Sequence, residues 1–269
     1  MAALSRRIFS HYYASCWGGV WQRSLASSSS PALTSSPAVE VQLPQSPAAT
    51  TEHTESPMDQ ILKESLKHPD YFQVAQLFTV EDLFQARVHL GHVEGTGDPH
   101  MNQFIFGSRL GHHIIDLDQT AAHLRQALNI IAHIAFREGI ILFVGRLPQH
   151  QYLIECTAKE CGEYSHCRHW QGGVLTNSTK QFGSITRLPD LVILLHSMYT
   201  AVQQHYAIRD AAKMLIPTVA IVDTNCNPKL VTYPIPGNDD SAISVELYCR
   251  LFKNAVLKGK EKRKEVLGL

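Results

Sequence analysis

The chain has 269 residues, is 44% hydrophobic and carries 24 basic against 24 acidic side chains, for a formal net charge of zero. That length and apolar content suffice for one large folded domain with a tail. The neutral balance counts against a free-standing nucleic-acid binder, whose footprint is a basic excess, and no stretch approaches the roughly 20 apolar residues of a membrane span.

The first 50 residues hold Arg6, Arg7 and Arg23 but a single acid, Glu40, among many serines, alanines and prolines. This is the pattern of a mitochondrial transit peptide; a secretory signal needs an uninterrupted apolar core, which residues 5–21 lack. Pro31, Pro37, Pro44, Pro47 and Pro57 exclude regular structure there. The predicted organisation is a transit and disordered segment over 1–56, an N-terminal extension over 57–78 with a short helix near 59–66, and an α/β domain over 79–269. Losing the arginine-rich segment would leave the remainder close to neutral.

A helix is predicted over 79–90, with Leu83, Phe84 and Val88 on one side. From there short apolar runs alternate with helical patterns, the signal of a parallel sheet flanked by helices. A strand near 113–116 precedes a helix that Asp116 or Asp118 can cap, with the stripe Leu124, Leu128, Ile131 and Ala135 and a stop at Gly139. Residues 140–144 are apolar throughout, as in a central parallel strand covered on both faces. Pro148 suits the first turn of a helix running to Cys161 before Gly162. Strands follow near 164–167 and over 191–195, then a helix lined by Ile208, Ala211, Ala212 and Leu215 that stops before Pro217. A buried strand over 218–222, an edge strand near 231–235 and a long helix after Asp239, Asp240 and Ser241 complete the pattern. Lys258, Lys260, Lys262, Arg263 and Lys264 crowd that last helix, a run read as a solvated helix end rather than a binding patch.

No dinucleotide or triphosphate loop follows any predicted strand, and Pro148 removes an amide that a phosphate loop would need. The six cysteines, at 16, 156, 161, 167, 226 and 249, form no closely spaced pair of the zinc or redox kind and are expected as free thiols. His89 and His92 read as a hydrogen-bonded structural pair anchoring the end of the N-terminal helix; the alternative, a metal held together with Asp223 or His196, lacks a defined third and fourth ligand. Joint ligation by Cys161, His166, Cys167 and His169 is disfavoured, because alternation along a strand sends His166 and Cys167 to opposite faces. No catalytic set, metal site or cofactor is predicted.

The informative stretch is the run RHWQGGVLTN over 168–177. With HLGH over 89–92, FIFGSRLGHHIIDL over 104–117, AIRDAAKMLIPTVAIVDTNCNP over 207–228 and PGNDD over 236–240, it resembles ribosomal protein S-two of the small ribosomal subunit, in its mitochondrial form. The resemblance covers residues 78–264. It implies a three-layer α/β/α sandwich around a flavodoxin-like parallel sheet. It also implies a structural role in the matrix, within the mitochondrial ribosome, where head and body of the subunit meet. The implied partners are small-subunit ribosomal RNA and neighbouring ribosomal proteins, without a small-molecule substrate. Bacterial members carry a long helical hairpin after the LTN motif; here only residues 178–189 fill that interval, too few for two helices at ~1.5 Å per residue. The family's usual His-Arg-Trp order stands here as Arg168-His169-Trp170, and Val174 replaces its methionine.

The RNA-binding candidates are Arg168, His169, Trp170, Gly172, Gly173, Asn177, Lys180 and Arg187, which combine phosphate donors, a flexible turn and an aromatic surface. Trp170 fits either a stacking surface or the core.

Overall fold

The structure, a computed structural model, describes residues 63–184, 186–200 and 203–268, so the predicted transit segment lies outside the described residues. Helix α1, described over 63–67, leads into a stretch that packs as core: Phe72, Val74 and Phe78 are buried, and Asn129 Nδ2 donates to the Pro69 carbonyl at 3.1 Å. The 63–78 part of the predicted extension is thus integral to the domain.

Helix α2 (Val80–Gln85) starts at a reciprocal cap in which Thr79 and Asp82 satisfy each other's backbone amides. It ends earlier than the apolar pattern predicts, because Arg87 turns the chain at φ 59°. The next residues form strand β1 (Leu90–Val93), which joins β2 (Ile105–Arg109) and β3 (His112–Ile115) in a three-stranded antiparallel sheet of order β1-β3-β2. Leu110 and Gly111 make the β2–β3 turn at φ 53° and 77°, the double positive angle a two-residue hairpin requires.

The second sheet is the expected parallel one. It comprises β4 (Ile141–Val144), β5 (Tyr164–His166), β6 (Leu191–Leu194), β7 (Thr218–Val222) and β8 (Tyr233–Pro236), in the order β5-β4-β6-β7-β8 with every neighbouring pair parallel. Taken along the chain this is the 2-1-3-4-5 order of flavodoxin-like sheets. The side-chain period of two splits each strand between two cores. Phe143, Ile193, Val219, Ile221 and Ile235 enter one, under helices α3 (Leu117–Phe136), α4 (Pro148–Cys161) and α7 (Ala242–Leu267). Val144, Val192, Leu194, Ala220 and Val222 enter the other, with α6 (Tyr206–Lys213). A five-residue helix, α5 (Ser178–Phe182), is the only helix among the described residues of the interval where bacterial relatives were expected to carry a hairpin.

Capping follows the sequence at three helix ends and departs from it at two, the first being the start of α7, where Ser241 makes no side-chain cap hydrogen bond. The Asp116 side chain accepts from the Asp118 amide, Pro148 opens α4, and Gly162 closes it at φ 67°. At the end of α3 the positive angle falls on Glu138 instead of Gly139. Gly139 is needed for space, since a Cβ there would lie 2.5 Å from Ile134 Cγ2.

The basic run on α7 is largely consumed inside the domain. Lys260 donates to the Cys161 carbonyl at the end of α4 at 2.6 Å, Arg263 to the Phe136 carbonyl at the end of α3 at 2.8 Å, and Lys258 to the Gln73 carbonyl at 2.8 Å. Carbonyls at helix C-termini lack intrahelical partners, and cations there also complement the helix dipole. Glu163 and Glu138 pair with Lys260 and Arg263 in turn.

Candidate nucleic-acid interface

Because the five strands run parallel, the loops leaving their C-terminal ends emerge along one rim of the sheet. Chain order reverses between β4 and β6, which is where open α/β sheets form a crevice. A cleft of about 300 Å³ lies at that end, lined by Arg146, Pro148, Gln151, Arg168, His169 and Tyr199 among others. The Arg146 guanidinium sits 4.6 Å above the Tyr199 ring, and the Tyr199 hydroxyl hydrogen-bonds His169 Nδ1. Neither Arg146 nor Arg168 has an acidic partner among the described residues. Helix α4 begins beside them without a side-chain cap, so the positive end of its dipole adds to their charge.

The sequence around this half of the rim explains its polarity. Residues 139–154, 164–189 and 191–209, which contain the loops leaving β4, β5 and β6, include no acid; they hold Arg146, Arg168, Lys180 and Arg209, and also Arg187, which pairs with Asp190 just before β6 and so lies toward the opposite, N-terminal end of the strands. The other half, beyond β7 and β8, carries Asp223, Asp239 and Asp240. There His92 Nδ1 lies 3.1 Å from Asp223 Oδ2 and Nε2 3.4 Å from Asp240 Oδ2. The Asp223 hydrogen bond, partly opposed by burial, raises the His92 pKa to about 9, so this imidazole is cationic at neutral pH and bound to the acids around it. Burial, with Asp223 nearby, pushes the Asp239 carboxyl well above its ordinary range. Among the described residues, no group of three or more His, Cys, Asp or Glu side chains is arranged to hold a metal.

Under the basic half lies a layer of buried, neutral rings. His150 and His196 stack at 5.2 Å with Nδ1 and Nε2 3.1 Å apart. Burial, reinforced by His150, His205 and Arg146, pushes His196 down to about 3; burial, reinforced by His166 and Arg146, takes His205 to about 4. His205 Nδ1 accepts the Ala207 amide at the start of α6, which puts its proton on Nε2. His196 and His205 therefore add no charge to the rim above them at neutral pH.

The structure sorts the sequence candidates. Arg168, His169, Gly172, Asn177 and Lys180 are exposed on the loop after β5 and on α5. Gly173 takes φ 94°, and its carbonyl accepts the Asn177 amide at 2.8 Å, so the glycine pair is a tight turn. Arg187 is exposed but paired with Asp190 at 3.0 Å. Trp170 offers no stacking face: it is 2% exposed, its Nε1 donates to Asp210 Oδ2 at 3.1 Å, and the His166 and His205 rings meet it edge-on. A buried indole N–H needs an acceptor, and the Asp210 carboxylate supplies it.

His89 and His92 do not form a pair. His89 stacks on Phe84 at 4.6 Å, while His92 turns to Asp223. Cys161 and Cys167 are buried thiols raised to about 11 by burial, whereas His169 faces the cleft. Sequence reasoning singled out neither Tyr199 nor Arg146; the absence of acids from all three loops was the signal available for both.

The comparisons with known proteins agree with this architecture. The family model described as Ribosomal protein S2 matches residues 83–191 and 179–259. The chain is 58% identical over 209 residues to the small ribosomal subunit protein uS2m of Bos taurus, covering 78% of this chain and 71% of that protein. It is 35% identical over 234 residues to uS2 of Rickettsia akari (71% and 78%) and 36% identical over 224 residues to uS2 of Caulobacter vibrioides (68% and 82%). The bacterial alignments run longer than the bovine one yet take in less of this chain, as a stretch present in bacteria and missing here produces. The two matched segments meet at 179–191, on and after α5. Motifs, sheet order and the short interval at α5 thus converge with these matches, and the chain belongs to the ribosomal protein S2 family.

Proposed function

We propose that this chain serves mitochondrial translation as a structural, non-catalytic component of the small subunit of the mitochondrial ribosome, where it binds ribosomal RNA and neighbouring subunit proteins. Membership of the family and the high identity to a mitochondrial relative support the assignment. The observation that carries the RNA contact is the rim over β4, β5 and β6, basic and free of acids in a chain that is neutral as a whole. Phosphates are attracted by local cations whatever the net charge, and a rigid parallel sheet fixes the spacing of those cations.

Arg168 and Lys180 are the exposed test residues. Changing both to glutamate is expected to strip the protein from small-subunit particles in sedimentation, and to lower the salt slope of RNA binding by about one for each phosphate no longer neutralised. Thermal stability should stay within about 0.5 kcal/mol, as for other exposed positions. Arg187→Glu should have the smaller effect, because Asp190 already holds that guanidinium. Unchanged incorporation of the folded double variant would remove this rim from the RNA contact.

Import rests on the arginine-rich, acid-poor segment. Residues 1–50 fused to a fluorescent protein should carry it into mitochondria; a reporter that stays in the cytosol while residues 51–269 are still imported would move the targeting signal elsewhere.

A further inference from the structure

The cleft at the β4–β6 switch point is more specific than a charged surface requires, because a strip of cations would suffice to hold RNA backbone. We propose that it receives one unpaired nucleotide of an RNA strand, with the phosphate held by Arg146 and Arg168 at the start of α4 and the base laid against the Tyr199–His169 edge. The inference deepens the RNA-binding reading and rests on it.

Four observations meet there. The cavity, at about 300 Å³, is at the small end of ligand pockets and suits one nucleotide rather than a duplex. Two guanidinium groups with no acidic partner among the described residues line it, and the positive end of the α4 dipole lies beside them even though Pro148 supplies no amide there. Arg146 Cζ lies 4.6 Å from the centre of the Tyr199 ring, and a guanidinium held against an aromatic ring can still donate to a phosphate. Tyr199 and His169 are tied by a hydrogen bond, so two rings from separate loops of the same rim present a fixed aromatic corner. Aromatic faces beside cations are how proteins hold single-stranded nucleic acid, since every base has a face to stack whatever its sequence.

The same chemistry could be met by a free mononucleotide, and the test separates the two sources. The full chain is titrated with a fluorescent ten-nucleotide single-stranded RNA at several salt concentrations, with unlabelled AMP, inorganic phosphate and duplex RNA as competitors. Arg146→Gln should weaken binding roughly 10-fold and reduce the salt slope by about one. Tyr199→Leu should weaken it roughly 10-fold with the slope unchanged, because stacking releases no counterions, and Tyr199→Phe should retain most of the affinity. Melting curves of each variant keep folding separate from binding. If Lys180→Gln weakens binding while Arg146→Gln and Tyr199→Leu do not, the rim binds RNA and the cleft proposal is overturned. If none of the three matters, the RNA-facing rim fails with it. AMP displacing the RNA at matching affinity would assign the cleft to a free nucleotide, and duplex RNA competing equally would exclude an unpaired one; either overturns the proposal.

Discussion

Trp170→Ala is expected to cost roughly 4 kcal/mol, the loss typical of deleting a buried indole, and to lower the melting temperature by roughly 8–16 °C in a domain of this size. The removed ring leaves a void between His166 and His205 and strips the buried Asp210 carboxylate of its indole donor. The remaining cation, Arg209, has its Nε 3.8 Å from Asp210 Oδ1, too far for a good replacement hydrogen bond. Trp170→Phe separates the two contributions. It keeps most of the packing and loses only the donor, so it should cost about 1–3 kcal/mol. Neither variant should change RNA affinity once folding is accounted for, because the ring has no open face. A Trp170→Ala protein with an unchanged melt and weakened RNA binding would make the ring a stacking platform after all, and would require this loop to open when RNA arrives.

Gly259→Leu is the second substitution expected to act strongly. A Cβ at Gly259 would lie 2.5 Å from the Ala132 carbonyl oxygen and 3.0 Å from Ala135 Cβ, both on α3. The nearest obstacle is backbone, which cannot rotate away as a side-chain end can, so α7 must lift off α3 along the packed pair. Overpacking of this kind typically costs 1–3 kcal/mol, and for a four-carbon side chain against a main chain roughly 3 kcal/mol is expected. That corresponds to a fall of roughly 6–12 °C in melting temperature. Gly107→Ala is the control, since a Cβ there meets nothing within 4 Å. Equal melts for the two variants would mean that α3 and α7 are less tightly seated than described.

The parallel sheet was legible because strands buried on both faces leave continuous apolar runs, as over 140–144 and 191–195, and because Pro148, Asp116 and Gly162 punctuate the helices between them. The antiparallel sheet was legible only in its middle strand, β3, expected near 113–116 but as part of the parallel sheet; β1 and β2 were not, for a physical reason. These two strands do not alternate between a core and solvent: Phe106 is 81% exposed and Leu110 at the turn 92%, so their apolar residues give no period to read. The early end of α2 was hidden too, since a left-handed arginine at position 87 carries no mark that a glycine would have left. Within the candidate interface, Arg168, His169 and Lys180 were visible as neighbours in the chain. Trp170 fitted two roles, and only the placement of Asp210, forty residues on, decides between them. Arg146 and Tyr199 meet through the sheet order, which sets β4 and β6 side by side although β5 lies between them in the chain.

The anchoring of α7 has a consequence for how the molecule is made. Every other described element is synthesised before α7, yet α7 covers α3 and α4 and supplies the cations that satisfy their last carbonyls. A nascent or partly translocated chain that has yet to deliver residues 242–267 therefore exposes the greasy sides of two helices with their ends unsealed. Such a chain is a client for chaperones and a target for proteases, and completion of the last helix becomes the checkpoint at which the protein turns from a liability into a subunit ready for assembly.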